Sequence, residues 1–140
     1  MPSDLDSCTG IFCRTFSQPP WNEEWDPAIA AKRLLQVFQT PGFEGVLAER
    51  EGSALGFAVG FSEPWKDGFV YYLKEACILP SFQRQGVGTR LMEVLSERLA
   101  QNGVAKIYLL TARGDSSEAF YAKLGFYTSE KMVMMGRHLQ

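Results

Sequence analysis

Between Phe43 and Leu79 the chain offers three extended runs and very little else. "FEGVLAER" turns at Glu51-Gly52 into "ALGFAVGFSE", and after "PWKDG" comes "FVYYLKEACIL", which Pro80 stops. Each run is rich in β-branched and aromatic residues, and each is closed by turn formers. Connections this short leave the chain no choice but to double back, so the segment predicts an antiparallel meander.

The rest of the chain changes period. Gly88 to Asn102 reads as a helix, with Val87, Leu91, Val94, Leu95 and Leu99 on one stripe and Asn102-Gly103 at its end. "KIYLLTA" predicts a short buried strand. Asp115 and Glu118 read as the cap and N3 of a capping box for a helix "EAFYAKL" that ends at Gly125, and "YTSEKMVMMGRHL" predicts a last strand. Upstream, Asp4 to Phe16 is weakly helical, with Asp4 or Asp6 as cap. "SQPPWNEEWDP" is a loop. Asp26 caps a second helix that has Pro27 in its first turn, continues through "AIAAKRLLQVFQ" and stops at Pro41-Gly42. A meander followed by strand, helix and strand predicts an α+β fold with a mixed, mostly antiparallel sheet flanked by helices. A chain of 140 residues is expected to form one domain, residues 1–140.

Composition narrows the function. The chain is 46% hydrophobic and 21% charged, enough apolar matter for a globular core. A formal net charge of −2 gives no general attraction to nucleic acid or to an anionic membrane. Cys8, Cys13 and Cys77 form no CxxC pair, which argues against a disulfide scaffold or a zinc site and for a reduced, cytoplasmic setting. "MPSDLDSCTG" lacks the basic and apolar regions of a signal peptide, and no apolar run approaches the roughly 20 residues that span a bilayer.

"QRQGVGTRL" sets Gly86 and Gly88 one residue apart at the start of the clearest helix, although glycine costs roughly 1 kcal/mol there relative to alanine. A helix start has unpaired N–H groups and a positive dipole end, and bare backbone lets a diphosphate approach them, with Arg84 adding charge. A tight turn would use glycines equally well. A P-loop is excluded because GK[ST] is absent, and the dinucleotide fingerprint fits poorly because Leu91 stands where its third glycine belongs.

Gln83-Arg84-Gln85-Gly86-Val87-Gly88 resembles the Q/R-x-x-G-x-G/A motif of the GNAT superfamily of acyl-CoA N-acyltransferases. "EACILPSF" before it is similar to that family's fourth strand, and "EAFYAKLGF" to its second hallmark, so the resemblance covers about residues 69–127. It implies a splayed strand pair forming a coenzyme slot. The diphosphate of acetyl-CoA, a co-substrate, would sit on main-chain N–H groups from Gln83 to Thr89, taking in Arg84, Gln85, Gly86, Val87 and Gly88. The pantetheine arm would run along Cys77, Ile78 and Leu79, with Ser117 and Tyr121 also beside the coenzyme. No metal is implied. Members usually begin with a strand before the first helix; this chain has almost nothing before Asp4, so that strand is expected to be missing or the N-terminus to differ. Where the family often carries Asn, seven residues before the helix tyrosine, this chain has Gly114.

Acyl transfer to an amine needs a base, an N–H donor for the oxyanion and a proton for the leaving thiolate. Glu75 interrupts an apolar strand, where a carboxylate tends towards a raised pKa. It also matches the acidic strand position of the aminoglycoside branch of the family; the alternative is an edge pair with Lys74. Tyr121 matches the family's usual general acid, the alternative being core packing with Phe120 and Phe126. The resemblance makes the Ile78 N–H the oxyanion donor. Cys77 reads as a buried structural thiol and His138 as a surface residue. Trp21, Glu23, Glu24 and Trp25 crowd the loop that often walls the family's acceptor site, and acid with aromatic suits a cationic amine; a solvated loop anchored by its tryptophans is the other reading. The expectation is an acetyl-CoA-dependent N-acetyltransferase acting directly on a small cationic amine, with no nucleic-acid or membrane partner and a homodimer left open. A peptide or protein amine as acceptor, a non-catalytic acyl-CoA sensor and a protein-interaction module are the alternatives.

Overall fold

The computed structural model describes residues 2–140. They fall into two compact units, one ending at Leu109 and the other running from Leu110 to Gln140. In the first unit the order is α1 (Pro2–Phe16), α2 (Pro27–Phe38), β1 (Phe43–Arg50), β2 (Ser53–Trp65), β3 (Gly68–Ile78), α3 (Val87–Gln101) and β4 (Val104–Tyr108). The strands lie in the order β1-β2-β3-β4; the first three are antiparallel, and β4 runs parallel to β3.

The meander forms as the sequence predicts, with β2 carried on through Pro64 to Trp65. Asp26 caps α2 by accepting from the Ala28 N–H at 2.9 Å, with Pro27 at the first position. The α1 helix starts earlier than expected, which puts Asp4 inside its first turn rather than at its cap. On one face of the sheet α1 and α2 bury Cys8, Ile11, Phe12, Ala30, Leu34 and Val37 against Phe57, Val59, Cys77 and Leu79. The other face carries α3, with Leu91, Leu95 and Leu99 of the predicted stripe buried, Val87 and Val94 half-buried, and Met92, outside the stripe, buried as well.

One irregularity decides where the chemistry-bearing side chains go. Val59 faces Glu75 across the β2–β3 ladder, but the next pair is Gly60 with Leu73, so Lys74 is an extra residue on β3. Side chains alternate strictly along a regular strand, which would put Glu75 on the same face as Leu73 and Tyr71. The extra residue breaks that parity. Cross-strand partners share a face, so Glu75 joins Val59, Phe61 and Tyr72 on the α1–α2 side, while Leu73 and Tyr71 take the α3 side. Gly60 makes the close approach possible: a Cβ there would strike the Tyr72 carbonyl oxygen and lie 2.8 Å from the Tyr71 ring.

Two strand expectations need correction. β4 covers Val104–Tyr108, directly after the Asn102-Gly103 turn, rather than "KIYLLTA", and it is an edge strand with Tyr108 38% exposed rather than a buried one. Its pairing with β3 stops at Tyr72. In the second unit α4 (Ser116–Lys123) is the one helix described, and the last predicted strand is absent among the described residues. The Ser129 hydroxyl accepts from the Lys131 and Met132 N–H groups at 3.2 and 3.1 Å, so a local turn takes amides that a ladder would need. Met132, Val133, Met134 and Met135 are each at least 75% exposed. No helix among the described residues is long and apolar enough to cross a membrane.

Candidate active site

Glu75 sits on β3 with its side chain 10% exposed, and its partner is a residue that the motifs do not include. Arg33, on α2, donates from Nε to Oε1 of Glu75 at 2.8 Å, and its Nη2 makes an ion pair with the same oxygen at 2.7 Å. The same guanidinium lies over Trp25, 5.8 Å from the ring centroid. Trp25 packs edge-on against Phe12 and donates its Nε1–H to Glu23 at 2.9 Å. Burial raises the Glu75 carboxyl above its ordinary range; Arg33, by hydrogen bond and by charge, and Lys74 pull it back, while Glu23 pushes it further up. Tyr72 is also raised, by burial first and then by the charge of Glu75. It stacks on Tyr108 at 4.8 Å, and Lys74 Nζ lies 5.7 Å from its ring.

The loop and the strand glutamate, two independent features of the sequence, are thus joined through Arg33. Glu23 and Trp25 belong to this cluster. Trp21 turns to pack on Phe16 at 5.1 Å, and Glu24 is exposed. Arg33 and Tyr72 were not singled out from the sequence. A signal for Arg33 was available, because it stands between Ala30 and Leu34 on the buried side of α2, where a charge needs a partner.

Among the described residues β3 pairs with β4 from Phe69 to Tyr72, and from Leu73 to Ile78 its ladder is with β2 alone. The Leu79 N–H donates to Leu55 O at 2.8 Å, and the alternation of an antiparallel ladder then turns the N–H groups of Ala76 and Ile78 away from β2. The Ile78 carbonyl accepts from Gln83 Nε2 at 2.9 Å and from the buried Thr15 hydroxyl at 3.3 Å. Cys77, in the core, is pushed well up by burial, as befits an inert thiol.

The strand leads through a turn at Pro80–Phe82 to the start of α3. Arg84 and Gly86 both adopt left-handed backbone, with φ of 66° and 81°. Gly86 is the N-cap and carries no capping side chain, and the first helical bond runs from Arg90 N to Gly86 O at 3.0 Å. The N–H groups of Val87, Gly88 and Thr89 therefore precede the helical ladder, in a half-buried first turn. The helix begins at Val87, so Gly88 lies inside it. A groove of about 540 Å³ is lined by Gln85, Gly86, Val87 and Arg90 together with Val46, Ala48 and Arg50 of β1; Glu75 is not among its walls.

In the second unit Ser117 lies in the first turn of α4, and Tyr121 packs between Phe120 and Phe126 at 5.1 and 5.4 Å. Asp115 accepts from the Ser116 N–H, and Glu118 reaches back to the Gly114 N–H at 2.8 Å. Among the described residues no three or more His, Cys, Asp or Glu side chains are grouped to hold a metal ion.

Residues 5–126 match the acetyltransferase (GNAT) family. The chain belongs to that family. Solved structures agree in fold. A possible acetyltransferase from Clostridium difficile superposes with a TM-score of 0.82 at 12% identity, covering 100% of this chain and 95% of the other. An integron cassette protein from V. cholerae gives 0.78 at 20%, covering 96% and 85%. An aminoglycoside N-acetyltransferase in complex with CoA gives 0.75 at 19%, covering 99% and 91%. No curated protein matches the sequence. The mixed sheet flanked by helices is the fold this GNAT chain shares with those structures.

Proposed function

We propose that the protein transfers an acetyl group from acetyl-CoA to the primary amine of a small cationic acceptor, directly within a ternary complex. One observation carries the reading: the free edge of β3 runs through a left-handed turn into a helix start with no capping side chain. A thioester arm can add to such an edge as an extra strand, at Cys77, Ile78 and Leu79. A diphosphate can take the N–H groups between Gln83 and Thr89, where Gly86 and Gly88 keep the backbone bare and Arg84 supplies charge. Ser117 and Tyr121 come to the coenzyme by family resemblance.

In the reaction the acceptor sheds a proton towards Glu75, and its nitrogen attacks the thioester carbonyl carbon. The C–N bond forms, the oxyanion is met by the Ile78 N–H, and the C–S bond breaks. The thiolate takes its proton from Tyr121, and the acylated nitrogen gives up its second proton to the tyrosinate left behind. A glutamate raised by burial holds a proton more readily than one in water, which suits a base. A cationic acceptor is favoured by the exposed carboxylates of Glu23 and Glu24; the indoles are already engaged, Trp25 with Arg33 and Trp21 with Phe16. It is also in keeping with the neighbours, one of which is an aminoglycoside acetyltransferase in complex with sisomicin. The test is release of free thiol from acetyl-CoA across polyamines, aminoglycosides, amino acids and peptide N-termini. Turnover with cationic amines is expected, and coenzyme binding without thiol release from any of them would refute the assignment.

A further inference from the structure

The carboxylate of Glu75 is fixed by a residue that no motif of the sequence contains. In a side-by-side Arg–carboxylate pair each nitrogen takes its own oxygen. Here the close approaches of both Arg33 nitrogens, Nε at 2.8 Å and Nη2 at 2.7 Å, are to the one oxygen Oε1. The face of the guanidinium is covered by Trp25, and Trp25 is itself held from two sides, by Phe12 and by Glu23. An indole face flanked by two carboxylates is the chemistry of a cation seat, and a planar guanidinium suits it better than an ammonium does. The protein fills this seat with its own side chain.

We propose that Arg33 is a positioning residue, an internal guanidinium seated between Trp25 and Glu75 that favours the charged form of the carboxylate, with Oε1 fixed and Oε2 left to receive a proton. The claim that Oε2 receives it from the acceptor rests on the reading above; the seating of Glu75 by Arg33 and the bias towards its charged form do not. The groups facing Glu75 are Arg33 from α2, Glu23 from the loop, and Lys74, Tyr72 and Cys77 from its own strand, with Val59 opposite on β2. Lys74 and Glu23 act in opposite senses, and Tyr72 and Cys77 are held in their neutral forms by burial. Arg33 outweighs each of the other charges. An incoming ammonium that approaches Glu75 meets a carboxylate already paired, so the site receives a proton without first clamping the cation that brings it.

The experiment is a carbon-detected NMR titration of the Glu75 side-chain carboxyl. A cation within contact distance lowers a carboxyl pKa by about 1–3 units, so Arg33→Gln is expected to raise the Glu75 midpoint by about that much. In Arg33→Ala, guanidinium ion well below denaturing concentration should refill the seat and lower the midpoint again, and sodium chloride at equal concentration should not. Trp25→Leu keeps the charge but removes the face; it should give a smaller rise, and it stands in should the Arg33 variants fail to fold. An unmoved midpoint in Arg33→Gln, or in Trp25→Leu where that is the folded variant, would overturn the proposal, as would guanidinium and sodium acting alike. Where transfer is measurable, the acid limb of kcat/KM should move with the midpoint while KM for acetyl-CoA stays level. A shifted midpoint with no transfer to any amine would keep Arg33 in this role and remove the reading of Glu75 as base.

Discussion

Gly60→Ala tests the irregularity that places Glu75. The added methyl would meet three things at once: the Tyr72 carbonyl oxygen, and Cζ and the hydroxyl of Tyr71 at 2.8 Å each. The carbonyl is held in the ladder. The Tyr71 ring is fully buried, and its hydroxyl donates to Glu44 O at 2.7 Å, so it cannot swing away without giving up that bond. Overpacking a tight site costs about 1–3 kcal/mol, and losing a buried hydrogen bond adds about 1 kcal/mol. The expected loss is therefore about 2–4 kcal/mol, a large share of the roughly 5–15 kcal/mol that holds a domain together. Urea denaturation at constant m-value would measure it. Gly136→Ala, where a methyl meets nothing within 4 Å, is the control and should stay within about 0.5 kcal/mol. Equal stabilities for Gly60→Ala and the control would show that the strand absorbs the methyl, and the argument that Gly60 is required beside the extra residue would fall.

Glu75→Gln should lower kcat by about 10²- to 10⁴-fold, with acetyl-CoA affinity nearly unchanged, and should flatten the acid limb of the rate profile. Because burial raises the folded pKa of Glu75, its own contribution to stability is fully present below the ordinary glutamate range and is lost as pH rises through the raised value; the Gln variant should lack that slope in denaturation at graded pH. Gly88→Glu should abolish acetyl-CoA binding in calorimetry by setting a carboxylate against the diphosphate, and unchanged affinity in the folded variant would remove the cradle. Tyr121→Phe should slow turnover more than it weakens binding; lost stability at an unchanged rate would make Tyr121 a packing residue. Glu23→Gln with Glu24→Gln should raise KM for polyamines or aminoglycosides, as should salt, since charges are screened over about 8 Å at physiological ionic strength. A KM indifferent to both would exclude the loop as selector.

The strands of the meander, α2 with its cap and the stripe of α3 are legible in the sequence because each is written in local terms: a period, a cap, a turn. Glu75 is also visible, as a charge in an apolar run. Its face is not, because the parity break at Lys74 depends on the register with β2, which no local pattern encodes. Arg33 lies 42 residues away from Glu75, so their pairing is a property of the packed fold. The last predicted strand shows the converse. "KMVMM" has the composition of a strand, but a strand needs a neighbour, and the Ser129 turn takes its first amides.

The exposure of that tail has a chemical consequence. Thioether sulfur oxidises readily to sulfoxide where solvent reaches it, which turns a flexible apolar side chain into a polar one. Met132, Met134 and Met135 are 75, 80 and 87% exposed, whereas Met92 is 4% exposed in the core of the first unit. Brief peroxide treatment should therefore mark the three tail methionines well before Met92. The mass ratio of the two classes gives a built-in gauge of what shields the tail, read from one digest without a label or an assay for activity.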